Sequence, residues 1–262
     1  MTTDRPWALI LGASSGFGAA SARALAAQGW PILGVHLDLR ATVERAAEVQ
    51  RDCETLGVPV RMYNRNAADP KHISAILDDL PPGSRVGLVL HSLAFGSTGP
   101  LVFPREGRVR HRNLAMTLDV MALSLVSWID ALLDRQQLPA GARVLAMTSG
   151  GSLAALPGYG PVAAAKAALE ALVRQLAAEL APSGVTVNAI MAGVTDTPAL
   201  RRIPGWEQLV QAALRRNPHG RLTTPDDVAQ AVVALTHPGL AWLTGDVLRI
   251  DGGESSADGF GA

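Results

Sequence analysis

Cysteine is almost absent from this chain: of 262 residues only Cys53 is one. That excludes an internal disulfide and a cysteine-based metal cluster, and it suits a reducing compartment. Cys53 is expected to be a passive thiol on a helix. An excess of charge of either sign is missing too, with 23 Lys plus Arg against 23 Asp plus Glu. No global field therefore favours nucleic acid or an anionic membrane surface, and any recognition of charge must be local. Long apolar runs are also lacking. In MTTDRPWALILGAS the run from Trp7 to Leu11 is too short for a signal segment or a membrane span, and no other stretch escapes charge long enough to cross a bilayer. The expectation is a soluble, cytoplasmic protein with no metal, no nucleic acid and no membrane partner. Without internal repeats, low-complexity tracts or a dividing linker, residues 1–262 read as one domain.

What the chain does contain is a series of short apolar runs of strand type: Ala8 to Leu11, Ile32 to His36, Val58 to Tyr63, Val86 to His91, Arg143 to Met147, Val185 to Ile190 and Asp246 to Ile250. Longer Ala/Leu-rich segments of helical periodicity lie between them. Strands alternating with helices imply right-handed crossovers and a parallel sheet covered on both faces, a doubly wound α/β architecture of seven strands. Two stretches look inserted: 96–112, after the fourth strand, and 196–222, after the sixth. Both follow carboxyl ends of strands, where open α/β sheets bind ligands, so they are candidates for a substrate cover.

After Leu11 the chain reads Gly12-Ala13-Ser14-Ser15-Gly16-Phe17-Gly18. Glycines permit a sharp turn and close backbone approach, and free N–H groups at the start of the following helix, expected over Phe17 to Gln28, can hold a pyrophosphate. Ser14 and Ser15 add hydroxyl donors. The second strand should end near an adenosine ribose, where an acid accepts from a free 2′-hydroxyl and a base suits a 2′-phosphate. Asp38 and Arg40 offer both, so NADH and NADPH stay open at this point.

Tyr159 and Lys166 stand seven positions apart in YGPVAAAKAALEAL. A free phenol titrates near pH ~10, and a nearby cation would bring it closer to neutrality; Lys166 is the candidate. Pro161 suits the first helical position, so Gly160 is expected to cap the helix, with Tyr159 just outside it and Lys166 in its second turn.

GASSGFG, the SGGS string, the lysine helix, AGVTDT and the late strand ending in DGG together resemble the short-chain dehydrogenase/reductase family over essentially the whole length. The resemblance implies a Rossmann-type fold. Most members carry Tyr-x3-Lys, but position 162 is a valine here. The Tyr-x6-Lys spacing and His91-Ser92-Leu93-Ala94-Phe95 are similar to the divergent enoyl-acyl-carrier-protein reductases, and NAIMAGVTDTPALRRIPGWEQL is most similar to their third group. By that resemblance Lys166 binds the nicotinamide ribose, Asn66 and Ala67 contact adenine, and His91, Ser92 and Leu93 line the nicotinamide-ribose pocket by main chain. Phe17 belongs to the phosphate turn, Gly193 lets the backbone approach the nicotinamide, and Thr195 and Thr197 bind its carboxamide and the pyrophosphate, unless they only cap a helix. Ser149 stands where members keep a catalytic serine and either orients substrate or Tyr159, or simply ends a strand. The family's structural asparagine should fall near Met121.

The implied reaction is reduction of a trans-2-enoyl thioester, with hydride to C3 and the enolate held by the Tyr159 hydroxyl. Enolate charge gathers on the thioester oxygen, farther from the hydride than in ketone reduction, so a phenol displaced toward the helix entrance fits. An acyl group on acyl carrier protein or coenzyme A is the expected substrate, attracted by Arg105, Arg108, Arg110, Arg112, Arg201, Arg202, Arg215, Arg216 and Arg221, and a homotetramer is the expected assembly. A 3-oxoacyl or other carbonyl reductase, and an idle cofactor-binding scaffold, are the rival readings.

Overall fold

Seven strands pair in parallel in the order β3-β2-β1-β4-β5-β6-β7. The computed structural model describes residues 5–257. The strands are β1 (Trp7–Leu11), β2 (Ile32–His36), β3 (Val60–Asn64), β4 (Val86–His91), β5 (Arg143–Ser149), β6 (Thr186–Ala192) and β7 (Val247–Ile250). The helices are α1 (Gly16–Ala27), α2 (Val43–Thr55), α3 (Pro70–Asp78), α4 (His111–Leu118), α5 (Ser124–Asp134), α6 (Gly160–Leu180), α7 (Trp206–Arg216) and α8 (Pro225–Leu235).

Side chains alternate along each strand, so β1 feeds two cores. Leu9 and Leu11 pack with Trp128, Leu132, Leu169 and Val173 beneath α5 and α6. Ala8 and Ile10 pack with Leu25, Val49, Val228 and Val232 beneath α1, α2 and α8. Every residue of β1, β2 and β4 is buried, as a sheet covered on both faces requires. Cys53 is buried in the second core, and burial pushes its thiol up to about 11, a passive group as expected.

The strand order reverses between β1 and β4, whose ends lie side by side with Leu11 opposite His91. The chain leaves these two ends in opposite directions, and the crevice so formed at the carboxyl edge is the place such sheets keep for a nucleotide.

Most strand limits agree with the apolar runs; the differences have local causes. β3 starts at Val60 because Pro59 has no N–H for a ladder, although its carbonyl accepts from Ile32 at 2.9 Å. β5 and β6 run on to Ser149 and Ala192 because each pairs with the other to its last residue. The stretch 196–222 is less irregular than expected, since it contains α7. The helical segment His111–Asp134 is long and apolar enough to span a bilayer, contrary to the sequence expectation, but half of its apolar window is buried. Leu125, Trp128, Ile129 and Leu132 sit in the core, and Trp128 Nε1 donates to Ala67 O at 2.8 Å. Between α4 and α5 the turns widen into a π-helical segment, Asp119–Leu123, a feature frequent at functional sites.

Candidate active site

The start of α6 positions the phenol. Ala163 N donates to Tyr159 O at 2.9 Å, so the first intrahelical bond closes on Tyr159 and this residue, rather than Gly160, is the N-cap. Pro161 falls in the first turn, where its missing N–H costs nothing. The ring is buried among Val120, Met121, Val162 and Ala165. It also lies against Gly151, where a Cβ would come 2.4 Å from Tyr159 Cε1; that glycine is required and went unnoticed in the sequence. Tyr159 Oη donates to Ser149 Oγ at 3.2 Å, so Ser149 is placed to orient the phenol as well as to end β5.

Lys166 is buried about two turns further along. Its Nζ donates to Met147 O at 2.7 Å and to Leu93 O at 3.3 Å, linking α6 to β5 and to the loop after β4. Desolvation brings the amine down to about 7, and Glu170 opposes this. The expected lowering of the phenol by Lys166 is not what the structure gives. Burial pushes Tyr159 above the ordinary phenol range, and the opposing influence comes from the Ser149 hydrogen bond.

The glycine turn meets the end of β4. A Cβ on Gly12 would lie 2.4 Å from Ser92 O, and one on Gly18 would lie 2.1 Å from Gly12 O. These two glycines are therefore needed for β1, α1 and the β4 loop to meet at all. Gly16 adopts φ +54°, and the side chain of Thr197 stands 3.5 Å from where its Cβ would be. Thr197 is thus beside the turn, while its Oγ1 accepts from Leu200 N at 3.2 Å and caps a short helical turn. Ser15 is the N-cap of α1, and its side chain makes no capping bond there. Its hydroxyl and the first N–H groups of α1 suit a phosphate. Phe17 packs into the second core instead.

At the end of β2, His36 Nδ1 lies 2.8 Å from Asp38 Oδ2, and Asn64 clamps the Asp38 main chain through its N–H (3.0 Å) and its carbonyl (2.9 Å). Burial pushes the Asp38 carboxyl up, but hydrogen bonds from Ser14, Thr42 and His36 outweigh it and hold the group below the usual range. Arg40 is exposed and forms no ion pair among the described residues. A cleft of about 440 Å³ adjoins this region, lined by Ser14, Ser15, Gly16, Arg45 and Pro198 among others. Asn66 Oδ1 accepts from Ala68 N at 3.0 Å, and the Ala67 carbonyl is occupied by Trp128.

His91 departs from a lining role. Its Nε2 lies 2.9 Å from Ser124 Oγ, whose single proton goes to Val120 O at 2.8 Å, so the ring donates from Nε2. Burial, with Lys166 adding to it, holds the imidazole down at about 3. Only Ser92 and Leu93 turn main chain toward Gly12 and Lys166.

Gly193 also serves another purpose than the expected one. A Cβ there would meet Thr223 Oγ1 at 2.3 Å and Glu254 Oε2 at 2.9 Å, so the glycine is required by the chain following β7. Thr195 is buried with its hydroxyl donated to Gly193 O at 2.9 Å.

The stretch 96–112 packs against the chain entering α6. Gly99 N donates to Gly158 O at 2.7 Å, and Leu101 packs against Gly160. Phe95, Leu101, Val102 and Phe103 remain exposed, as does Leu153 ahead of the phenol. Its arginines, Arg105, Arg108, Arg110 and Arg112, are exposed and outside any ion pair among the described residues. In the second stretch Arg201 pairs with Asp196 at 2.7 Å and lies over Trp206, Arg216 pairs with Glu254 at 3.0 Å, and Arg221 pairs with Asp227 at 2.6 Å.

A family model described as Enoyl-(Acyl carrier protein) reductase matches residues 12–255. The chain belongs to the short-chain dehydrogenase/reductase family. It is an NAD(P)-dependent oxidoreductase of that family. It is 29% identical to 1-cyclohexenylcarbonyl-CoA reductase of Streptomyces collinus, over 97% of this chain and 89% of that one. It is 29% identical to the 3-oxoacyl-[acyl-carrier-protein] reductase of Vibrio cholerae, over 97% and 98%. The NADH-dependent enoyl-[acyl-carrier-protein] reductase of Aquifex aeolicus is 30% identical over 66% of this chain and 64% of its own. Among solved structures, a short-chain dehydrogenase of Burkholderia cenocepacia in complex with NADP superposes with a TM-score of 0.83 at 26% identity, covering 95% of this chain and 98% of that one.

The residues at the crevice fit such a dinucleotide. The α1 N-terminus and the uncapped Ser15 hydroxyl could hold a pyrophosphate, and the ionised Asp38 carboxylate could accept from a ribose hydroxyl. Thr148, Ser152 and Glu170, which no motif in the sequence singles out individually, are joined by hydrogen bonds next to Ser149. A signal for Glu170 was present, since it follows Lys166 by four positions and shares its helix face.

Proposed function

We propose that this reductase hydrogenates the carbon–carbon double bond of trans-2-enoyl thioesters in the building of acyl chains. The observation that carries the reading is the place of the phenol. The chain has two tyrosines, and Tyr63 is engaged with Asp79 beside β3. Tyr159 stands at the N-cap of α6 beside Ser149, and the position four before the lysine is filled by buried Val162, which supports a donor at the helix entrance. A donor at the helix entrance suits the thioester oxygen of an enoyl substrate, which lies three bonds from the carbon that receives hydride, against one in a ketone.

The cofactor, when bound, would supply the hydride to C3, and protonation of the enolate at C2 by solvent completes the reduction. With substrate bound, the single Tyr159 Oη proton turns from Ser149 Oγ to the oxygen on which enolate charge gathers, and the Ser149 hydroxyl donates to Oη in its place and keeps the phenol aimed. Burial excludes water and keeps the phenol protonated, in the state that can donate. Lys166, held against the carbonyls of Met147 and Leu93, presents its remaining N–H to the ribose hydroxyls. Ser14, Ser15 and the start of α1 bind the pyrophosphate. Asp38, with Arg40 left in solvent, favours NADH over NADPH, because the carboxylate accepts from a 2′-hydroxyl and repels a 2′-phosphate. The apolar rim of Leu101, Val102, Phe103 and Leu153 suits an acyl chain, and the four free arginines of 105–112 suit the phosphates of coenzyme A or an acidic carrier. Leu123, Val126 and Leu133 leave exposed apolar positions along the α5 segment. They support assembly into a homotetramer, which sedimentation velocity would check.

A carbonyl reductase acting on 3-oxoacyl or related substrates is the second reading, favoured by the hydrogen bond between Ser149 and Tyr159. Assays with crotonyl and acetoacetyl thioesters, each with NADH and NADPH, separate the two. The expected result is NADH oxidation with the crotonyl ester, lowered by ~10²-fold or more in Tyr159→Phe at unchanged cofactor affinity. Turnover of acetoacetyl alone would establish the second reading.

A further inference from the structure

We propose that Glu170 is a positioning residue for the reaction: from α6 it anchors the hydroxyls on both sides of Ser149 and sets a buried carboxylate one turn beyond Lys166. This rests on the reading that Tyr159 and Lys166 act at this crevice, whichever carbon is reduced. Glu170 is only 8% exposed, and carboxylates are rarely buried without partners. Its Oε1 accepts from Thr148 Oγ1 at 2.5 Å and from Ser152 Oγ at 2.7 Å. Those residues bracket Ser149, whose hydroxyl is the partner of the Tyr159 phenol. Ser152 Oγ also lies 2.9 Å from Ser149 O, and its one proton serves one acceptor at a time. A charged acceptor at Glu170 is the stronger one, so it sets how the turn after β5 presents Ser149.

The same carboxylate is placed one turn beyond Lys166. The ammonium is otherwise surrounded by groups that cannot balance it. β4 offers His91, which is neutral; β5 and the loop after β4 offer the carbonyls of Met147 and Leu93. β6 carries no ionisable side chain, the π-helical segment offers Asp119, which is exposed, and α4 offers Arg112 and His111, also exposed. Tyr159 is a buried neutral phenol. Burial alone drives the amine down, and Glu170 works in the opposite sense. A neutral amine would be a weaker donor to the ribose hydroxyls than an ammonium.

The chain has two lysines, Lys71 and Lys166, so 13C-lysine labelling gives two side-chain signals, with exposed Lys71 as internal reference. In the wild-type protein without substrate, the Lys166 signal should titrate near about 7. Glu170→Gln keeps the shape and the acceptor but removes the charge. It should move that midpoint down by about one pH unit and weaken NADH binding, followed by fluorescence, about tenfold above the new midpoint. Steady-state kcat should fall most on the alkaline side, with the substrate KM little changed. An unmoved midpoint overturns the proposal. Should Glu170→Gln fail to fold, Glu170→Asp retains the charge and should keep the midpoint within a few tenths of a unit; a fall of about a full unit overturns it. The titration needs no substrate. A shifted midpoint without thioester turnover would therefore sink the enoyl reading and leave this one standing.

Discussion

Gly193 gives a sharp test of how the loop after β6 is held beneath the cofactor site. In Gly193→Ala the new methyl would lie 2.3 Å from Thr223 Oγ1, 2.9 Å from Glu254 Oε2 and 3.1 Å from Asp251 Cα. A hydroxyl can shift, but the Asp251 contact is main chain. Gly193 N also donates to Ile250 O at 3.1 Å, and Glu254 accepts from Val194 N at 2.9 Å while pairing with Arg216. Relieving the clash therefore strains β6, β7 and α7 together. Overpacking by one methyl costs roughly 1–3 kcal/mol, and with backbone among the contacts we expect about 3. For a chain of this size each kcal/mol lowers Tm by ~2–4 °C, so calorimetry should show a drop of ~6–12 °C. Thr223→Ala in the same chain removes the nearest atom and should recover about 1 kcal/mol as a coupling energy. The folded variant should bind NADH with near wild-type affinity. An unchanged Tm accompanied by lost cofactor affinity would refute the packing argument and return Gly193 to the nicotinamide.

Two further outcomes follow from charge. His91 is held at about 3 in the folded protein against an ordinary 6.5, so the unfolded chain binds more protons between those values. Stability should fall as pH drops from 6.5 toward 3, by up to ~1.4 kcal/mol per unit, and His91→Asn should flatten that slope in denaturant melts at several pH values. An equally steep slope in the variant would mean that other groups govern acid unfolding. Reversing Arg105 and Arg108 to Glu should raise KM for a coenzyme A or carrier-bound thioester about tenfold at low salt and less at high salt. A short thioester lacking phosphates should be unaffected. Reversal at Arg201, already paired with Asp196, should do little; a larger effect there would move the docking surface to the second stretch.

The architecture was legible because strands buried on both faces are written as continuous apolar runs, and β2 and β4 match theirs residue for residue. Gly12, Gly18, Tyr159 and Lys166 were legible because their chemistry depends on local spacing. Other assignments needed the assembled sheet. Whether Arg40 or Asp38 is the prepared group depended on Asn64, His36, Ser14 and Thr42, which approach from three separate segments. Nothing in AGVTDT indicates that Gly193 meets Thr223 and Glu254, or that the Thr195 hydroxyl donates to Gly193 O.

Local pattern in the sequence thus determined the winding of the sheet, the phosphate turn and the pairing of a phenol with an amine on one helix. Tertiary structure alone decided the state of those groups. Desolvation is set by what packs around a side chain from distant parts of the chain. Burial therefore raises Tyr159, lowers Lys166 and silences His91, while Glu170, an ordinary glutamate in a helical repeat, becomes the counter-charge beneath the site.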